Sequence, residues 1–327
     1  MLSFEFEGVV VTNYRYFPYL VLLFGVTIAA TSSILIRLAQ QDGAPSLIIA
    51  AWRLVLAVVI LTPIAWRRRG PEIRRLSGRD IGWGIIAGVF LALHMATWIS
   101  SLAFTSVASS AALVTTSPLW VTLALFVLFR ERAKRLTLLG IVLAILGSTL
   151  IAFSDSEILR LDASADGLAL QTNWQRLLAS ADKADTALLG DGLALLGAMT
   201  VSGYLLIGRE LRTRLSNTAY VWLAYTAAMV VLVLIALVRG LPFWGYSPMV
   251  YLWLLLLALG PQLISHTAFN WALTHLSAIF VALSILGEPV GSAIFAWFIF
   301  AEGFAPIQLT GFVLLLSGIG LGALGER

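Results

Sequence analysis

Residues 260–302 read GPQLISHTAFNWALTHLSAIFVALSILGEPVGSAIFAWFIFAE, an almost wholly apolar stretch that holds Gln262, His266, Asn270 and Glu288 where hydrocarbon is expected. Gln262, His266 and Asn270 are spaced four apart, so they share one face of a helix. Glu288 directly precedes Pro289, which places a carboxylate where a helix is interrupted. Polar groups at membrane depth are costly and usually face a cavity or a bundle interior. The stretch therefore predicts a broken, membrane-embedded helix pair with an internal polar site.

An earlier stretch repeats this arrangement. Residues 93–131 read LHMATWISSLAFTSVASSAALVTTSPLWVTLALFVLFRE, with histidine, proline and glutamate in the same order. A shift of 171 residues superposes four landmarks: Pro118 on Pro289, Glu131 on Glu302, Gly140 on Gly311 and Gly147 on Gly318. One further residue of shift places His94 on His266 and Trp98 on Asn270. The chain is therefore predicted to consist of two copies of one unit.

The composition identifies a membrane protein. Of 327 residues, 60% are hydrophobic and 12% are charged, whereas a soluble domain carries about 25% charged residues. The absence of cysteine excludes disulfides and thiolate metal sites. There is no P-loop motif, and the three histidines lack a metalloprotease spacing. We expect no cofactor, no metal and no nucleic-acid partner.

Ten apolar segments are long enough to span a bilayer, which needs roughly 20 residues. We predict helices over 19–39, 45–66, 81–103, 107–129, 136–153, 189–208, 218–238, 247–273, 277–300 and 306–324. Each copy then holds five helices, and an odd number inserts the second copy upside down. Inverted repeats are typical of secondary transporters, whose site lies near the midplane where helices are interrupted. Here the predicted interruptions are at Pro118 and Pro289.

The basic residues predict the orientation. One set of alternating loops holds Arg67, Arg68, Arg69, Arg74, Arg75, Arg79, Arg130, Arg132, Lys134, Arg135, Arg209, Arg212 and Arg214. The other set holds only Arg37, Arg160, Arg176, Lys183 and Arg239. The positive side is cytoplasmic, so both termini are predicted in the cytoplasm, including a short tail over 1–18.

A long acidic insertion over 154–188 separates the predicted first unit, 19–153, from the second, 189–327. The topology places this insertion on the outer side. Its run LALQTNWQRLLASA, residues 168–181, fits a short amphipathic helix on the membrane surface, and the alternative is a poorly ordered segment.

Several motifs resemble a known family. The run GDGLALLGAMTVSGYLLIGREL, residues 190–211, resembles the start of the second repeat in EamA-type transporters of the drug/metabolite transporter superfamily. Residues 116–152 and 287–321 each resemble the proline, glutamate and glycine pattern that ends an EamA repeat. The resemblance covers about 19–324 apart from the insertion. It implies ten helices in two inverted repeats, with a substrate cavity between the halves, and substrates that vary widely across the family.

The candidate cavity residues are polar or aromatic side chains on the two related stretches or deep in a predicted helix. They are Arg53, His94, Trp98, Trp120, Gln262, His266, Asn270, Trp271 and Glu288. The histidines and amides could instead bond one helix to another. Arg53 could attract a substrate carboxylate or pair with Glu288. Glu131 and Glu302 are better explained as structural groups at helix ends.

These patterns favour a secondary transporter that exports a small organic solute, such as an amino acid, a metabolite or a drug-like compound. We expect the inner membrane of a bacterium, with protons as a candidate coupling ion through Glu288. One alternative is an intramembrane enzyme that uses His266 and Glu288. The other is a membrane sensor that transports nothing. The enzyme hypothesis lacks a second carboxylate or a metal spacing, so we do not expect catalysis.

Overall fold

The computed structural model describes residues 16–104, 110, 113–114, 116–130, 134–155, 159–164, 167–172, 181–300 and 306–326. The elements of the first half are α1 (Phe17–Ala29), α2 (Thr31–Gln41), α3 (Ser46–Arg74), α4 (Gly78–Ser101), α5 (Ser117–Phe129), α6 (Arg135–Asp155), β1 (Leu159–Ser164) and β2 (Gly167–Thr172). Those that follow are α7 (Ala181–Leu211), α8 (Asn217–Val238), α9 (Pro248–Leu257), a π-helix (Ala258–Ser265), α10 (His266–Ala272), α11 (Ala278–Ile285), α12 (Glu288–Phe300) and α13 (Pro306–Glu326).

Seven helical segments within the described ranges are long and apolar enough to cross a membrane. They are Phe17–Gln41, Ser46–Arg74, Gly78–Ser101, Leu189–Leu211, Asn217–Val238, Pro248–Ala272 and Ala278–Ile299. Three shorter apolar helices, Ser117–Leu128, Arg135–Gly147 and Leu309–Gly322, overlap the three other predicted spans. The protein is therefore an integral membrane protein built from apolar helices.

Several of the spans are not continuous α-helices. The first consists of two helices, since α1 ends at Ala29, Ala30 belongs to neither helix, and α2 begins at Thr31. The span over 248–272 contains the π-helix, with Pro261 inside it. Proline lacks an N–H and clashes with the carbonyl four residues earlier, so the wider π-turn accommodates it. The next span divides between α11 and α12, which leaves Leu286 and Gly287 outside both helices.

The insertion contains a β-hairpin where the sequence suggested an amphipathic helix. β1 pairs antiparallel with β2 in a register that sets Leu159 opposite Thr172 and Leu161 opposite Leu170. The surface helix predicted over 168–181 is therefore wrong for residues 168–172. The reason is a two-residue alternation, since leucines occupy every second position at 159 and 161 and again at 168 and 170.

The two helices α6 and α13 form the most extensive helix pair among the described residues, and glycines allow their close approach. A Cβ atom built on Gly140 would lie 2.6 Å from the carbonyl oxygen of Gly318. A Cβ built on Gly147 would lie 2.6 Å from the carbonyl oxygen of Gly311. The backbones therefore touch directly, as in small-residue crossings of membrane helices.

Two sets of loops meet at opposite ends of the bundle. At one end, Ser216 donates from its backbone N–H and its hydroxyl to the carboxylate of Glu72, at 2.7 Å in each case. Nearby, Arg214 forms a 3.2 Å ion pair with Asp80. At the other end, Trp52 donates to the backbone carbonyl of Phe243 at 3.0 Å. The loops that alternate along the sequence thus gather at separate ends.

Candidate functional site

The strongest polar cluster joins three elements of the bundle around Arg53 on α3. Its Nε donates to the side-chain oxygen of Gln262 at 2.7 Å, and its Nη1 donates to the hydroxyl of Ser32 at 3.1 Å. Arg53 is only 2% exposed, and Gln262 is fully buried. A guanidinium at this depth needs hydrogen-bond partners, because an unpaired buried charge is very costly. α2 and the π-helix supply those partners.

The π-helix positions Gln262 and leaves part of its polar capacity open. The hydroxyl of Tyr225 on α8 donates to the backbone carbonyl of Gln262 at 3.1 Å. The side-chain nitrogen of Gln262 and the hydroxyl of Ser265 are both buried, and neither has a hydrogen-bond partner among the described residues. Such groups usually find a partner, so these two are available to a polar ligand or to water.

Glu288 begins α12 at the interrupted span. It is half-buried, and within the described part of the chain it forms neither a hydrogen bond nor an ion pair. It lies within electrostatic range of Arg53, with no direct contact between them. One turn later, Ser292 donates to the carbonyl of Ala30 at 2.8 Å and accepts from Ser33 at 2.9 Å. The breaks in the two spans are therefore bonded side by side.

His94 on α4 is oriented by the backbone of α7. Its Nδ1 donates to the carbonyl of Gly197 at 3.0 Å, so Nδ1 carries a proton and Nε2 is free to accept in the neutral ring. Trp98 stacks on His94 with ring centroids 5.7 Å apart. A Cβ on Gly197 would approach Trp98 to 3.3 Å, which explains the glycine. This pair lies in the same electrostatic neighbourhood as Arg53.

His266 is half-buried at the start of α10. Its ring centroid is 5.9 Å from that of Phe269. Arg53 and His94 are both within electrostatic range of it. Arg53, Gln262, Glu288, His94 and His266 thus form one central polar group that draws on α3, α4, the π-helix, α10 and α12.

Asn270 belongs to a second polar cluster. Its Oδ1 accepts from Nη1 of Arg212 at 2.6 Å, and its Nδ2 donates to the hydroxyl of Tyr204 at 2.6 Å. Tyr220 in turn donates to the backbone carbonyl of Tyr204 at 3.2 Å. The carbon at the centre of the Arg212 guanidinium lies 5.1 Å from the ring centroid of Tyr220. Sequence reasoning placed Arg212 in a cytoplasmic loop and missed this cluster.

The two other candidate tryptophans lie apart from both clusters. Trp120 is half-buried on α5 and donates to the hydroxyl of Thr116 at 3.1 Å. Trp271 packs edge-on against Phe17, with centroids 5.6 Å apart, and contacts the ring of His275. Pro118 is buried in the first turn of α5. Glu131 and Glu302 lie outside the described residues.

A cavity of about 400 Å³ lies where Lys134 and Arg209 meet the segment 273–279. Its basic lining residues are Lys134, Arg209 and His275, and Thr274 and Ser277 add hydroxyls. It adjoins the second cluster, because Arg209 and Leu273 line it and stand three residues from Arg212 and Asn270 respectively.

No metal-binding group emerges from the histidines and carboxylates. Within the described ranges, no three of these residues come close enough to hold an ion. The central group is instead suited to hydrogen bonding and charge recognition. A guanidinium, a carboxylate, an amide and two imidazoles together can orient a small polar molecule.

Comparison with known proteins gives a match over nearly the whole chain. A family model described as the EamA-like transporter family matches residues 16–153 and 188–323. The fold is similar to that of a protein of known crystal structure, with a TM-score of 0.70 at 16% sequence identity. That likeness covers 95% of this chain and 97% of the other. No curated protein sequence matches.

Proposed function

Because this chain belongs to the EamA-like transporter family, we propose that it is a secondary transporter that exports a small polar organic solute by alternating access. The observation that carries the proposal is the central polar group inside an apolar bundle, in particular its members Arg53, Gln262 and Glu288. Intramembrane ionisable residues are expensive and mark substrate or ion pathways. The open donors on Gln262 and the unpaired carboxylate of Glu288 are what a bound solute would engage.

The neighbouring helix breaks supply a means of motion. The breaks at Ala30 and at Leu286–Gly287 lie side by side and share hydrogen bonds through Ser292. Discontinuous helices at membrane depth are tolerated where they are buried in protein or line a cavity. Such segments can change direction at modest cost, so the two spans would hinge together as the site turns from one face to the other.

The glycine crossing supports an inverted repeat. Gly140 corresponds to Gly311 and Gly147 corresponds to Gly318 in the two copies. The contacts join Gly140 to Gly318 and Gly147 to Gly311, so the correspondence exchanges the two contacts with each other. A contact of this reciprocal kind is what a two-fold axis between two units produces. We infer that α6 and α13 cross on the pseudo-two-fold axis of ten helices in two five-helix repeats.

The loop contacts support the proposed topology. The segments assigned to the cytoplasm meet one another, as Glu72 with Ser216 and Lys134 with His275 around the cavity. The segments assigned outside also meet, as Trp52 with Phe243. Since the first set carries most of the basic residues, it faces the cytoplasm. Both termini then lie in the cytoplasm, and the 154–188 insertion, which contains the β1–β2 hairpin, lies outside the bacterial plasma membrane.

Untargeted metabolomics of expressing cells tests the function. We compare wild type, Arg53→Gln, Gln262→Ala and empty vector, and analyse both the medium and the cell contents. Arg239→Gln is the matched control, because Arg239 is exposed and its loss removes the same charge. At least one solute should rise in the medium with wild type and with Arg239→Gln, and should fall to vector levels with the site variants. If no solute changes compartment in wild type, transport is refuted. A chemically altered membrane component would favour an enzyme instead.

A further inference from the structure

Arg212 is a buried cation without an anionic partner. Its side chain is 9% exposed, and in the described part of the molecule it makes no ion pair. Nη1 donates to Asn270 at 2.6 Å, and the ring face of Tyr220 lies 5.1 Å away. Within the described ranges, its other two nitrogens, Nε and Nη2, are buried and have no hydrogen-bond partner. Buried donors on a charged group are costly when unsatisfied, so a group with this geometry calls for a ligand.

The two open nitrogens define the shape of that ligand. Nε and Nη2 point their N–H bonds in parallel along one edge of the planar guanidinium. This edge is the fork that binds two oxygens of a carboxylate or phosphate at once. Nη1, which lies in the same plane but away from this edge, already donates to Asn270. The cluster thus holds the guanidinium in place, while the two N–H groups of its anion-binding edge have no partner among the described residues.

The position of Arg212 connects the cavity with the central polar group. Arg212 bonds to Asn270 and Arg53 bonds to Gln262, and both amides belong to the span Pro248–Ala272. Leu273 and Thr274, which follow that span, line the cavity. The cavity also gathers positive charge from Lys134 and Arg209, and charges of one sign in a cleft concentrate ligands of the opposite sign. Along this segment the order is therefore the cavity, then Asn270 with Arg212, then Gln262 with Arg53.

We propose that Arg212 binds the carboxylate or phosphate group of the transported solute through its Nε–Nη2 edge, between the basic cavity and the Arg53–Gln262 pair. This inference rests on the proposed transport function and adds that the solute carries an anionic group. The edge is enclosed in this structure, so it receives the solute in a conformation that separates α7 from α10. Asn270 and Tyr220 orient the guanidinium for that step.

The competing explanation is that Arg212 only holds Tyr220 and Asn270 together. Arg212→Lys separates the two, because lysine keeps the positive charge near the ring but has no parallel pair of donors. Arg212→Gln removes the charge as well. Arg214→Gln is the matched control, since Arg214 lies two residues away, is half exposed and pairs with Asp80 at the surface. Exposed pairs of that kind contribute little to stability.

The experiment measures release by cells expressing each variant, with membrane levels checked by immunoblot and the thermal stability of each purified protein recorded. Purified wild type is also titrated with L-glutamate against L-glutamine, and with glycerol 3-phosphate against glycerol. We expect the solute released by wild type to carry a carboxylate or phosphate group. In the titration, at least one anion of the panel should raise the thermal stability of wild type more than its uncharged counterpart does. Release and that stabilisation should fall at least tenfold in Arg212→Gln and Arg212→Lys, and stay at wild-type level in Arg214→Gln.

Other outcomes decide against the inference. Normal release by a well-expressed Arg212→Lys variant overturns it, and so does a transported solute without an anionic group. A panel in which no anion is preferred by wild type also overturns it. If Arg212→Gln fails to reach the membrane, the lysine variant decides alone. If wild type releases a solute but the expectations for Arg212 fail, only the inference is rejected and the transport function stands. If no wild-type-dependent solute is found, both the inference and the transport function are rejected.

Discussion

Gly318→Ala should destabilise the protein at the crossing of α6 and α13. A Cβ at Gly318 would lie 2.5 Å from the backbone nitrogen of Ala144 and 2.6 Å from the carbonyl oxygen of Gly140. A carbon contact is optimal at about 3.5–4.0 Å, so the helices would have to separate locally by about 1 Å. Both neighbours are backbone atoms, which cannot move aside as a side chain can.

The magnitude follows from that displacement. A gap of about 0.5–1 Å forfeits a quarter to a half of each dispersion contact along the seam, and forced overpacking costs about 1–3 kcal/mol. Gly320→Ala on the same helix is the matched control, because nothing lies within 4 Å of its Cβ position. There alanine should be neutral or stabilising by up to about 1 kcal/mol, since it is the better helix former.

The assay is unfolding by sodium dodecyl sulfate in mixed micelles, followed by far-ultraviolet circular dichroism. We expect Gly318→Ala to lie about 1–4 kcal/mol below Gly320→Ala in free energy of unfolding. The Gly140→Ala, Gly318→Ala double variant should be less destabilised than the sum of the singles, because the first substitution already separates the seam. Equal stability of Gly318→Ala and Gly320→Ala would refute the backbone-contact argument.

Three further predictions concern the site and the topology. Glu288→Gln should retain substrate exchange in proteoliposomes but lose pH-driven accumulation. The reason is that the carboxylate of Glu288, which has no basic contact within the described residues, can gain and release a proton, whereas the amide cannot. Unchanged pH-driven accumulation in the variant would contradict this role. His266→Ala should abolish transport at a normal membrane level, since His266 is within electrostatic range of both Arg53 and His94. Wild-type transport rates in this variant would remove His266 from the site. A cysteine placed at Ser164 in this cysteine-free chain should react with impermeant maleimide only from outside; reaction only from the cytoplasm reverses the orientation.

Hydropathy predicted the helical segments because the bilayer favours apolar side chains along every membrane-spanning segment. The apolar runs overlap the helices of the structure, and the pairing of Pro118 with Pro289 pointed to the stretches that carry the polar group. Local chemistry also explains the interruption before α12, since Pro289 cannot donate to the carbonyl four residues earlier. These features depend on short stretches of sequence and on the surrounding lipid.

Features that depend on tertiary packing were missed. The sequence predicts Arg212 to be a charged residue in a cytoplasmic loop. Only its packing against Tyr220 and Asn270 in the structure shows that it is buried. Gly208 was the available signal: it stands four residues earlier, and a Cβ there would crowd both Arg212 and Tyr220. The π-helix was also missed, although Pro261 inside an apolar run marks such a site. Its wider turn helps to separate Gln262 and Asn270 into different clusters.

The cap of α8 makes the two ends of the molecule unequal. Ser216 caps α8 and corresponds, by the shift of 171, to Pro45 at the start of α3. The hydroxyl of Ser216 accepts from the backbone N–H of Ala219, and the backbone N–H of Ser216 donates to Glu72. Pro45 has no side-chain cap. A carrier with equivalent halves would show the same half-saturation concentration at both membrane faces. For the alternating-access transporter proposed above, unequal ends predict different free energies of the inward-facing and outward-facing states, and therefore a different apparent affinity at each face. The solute gradient and any coupled ion still determine which way the net flux runs.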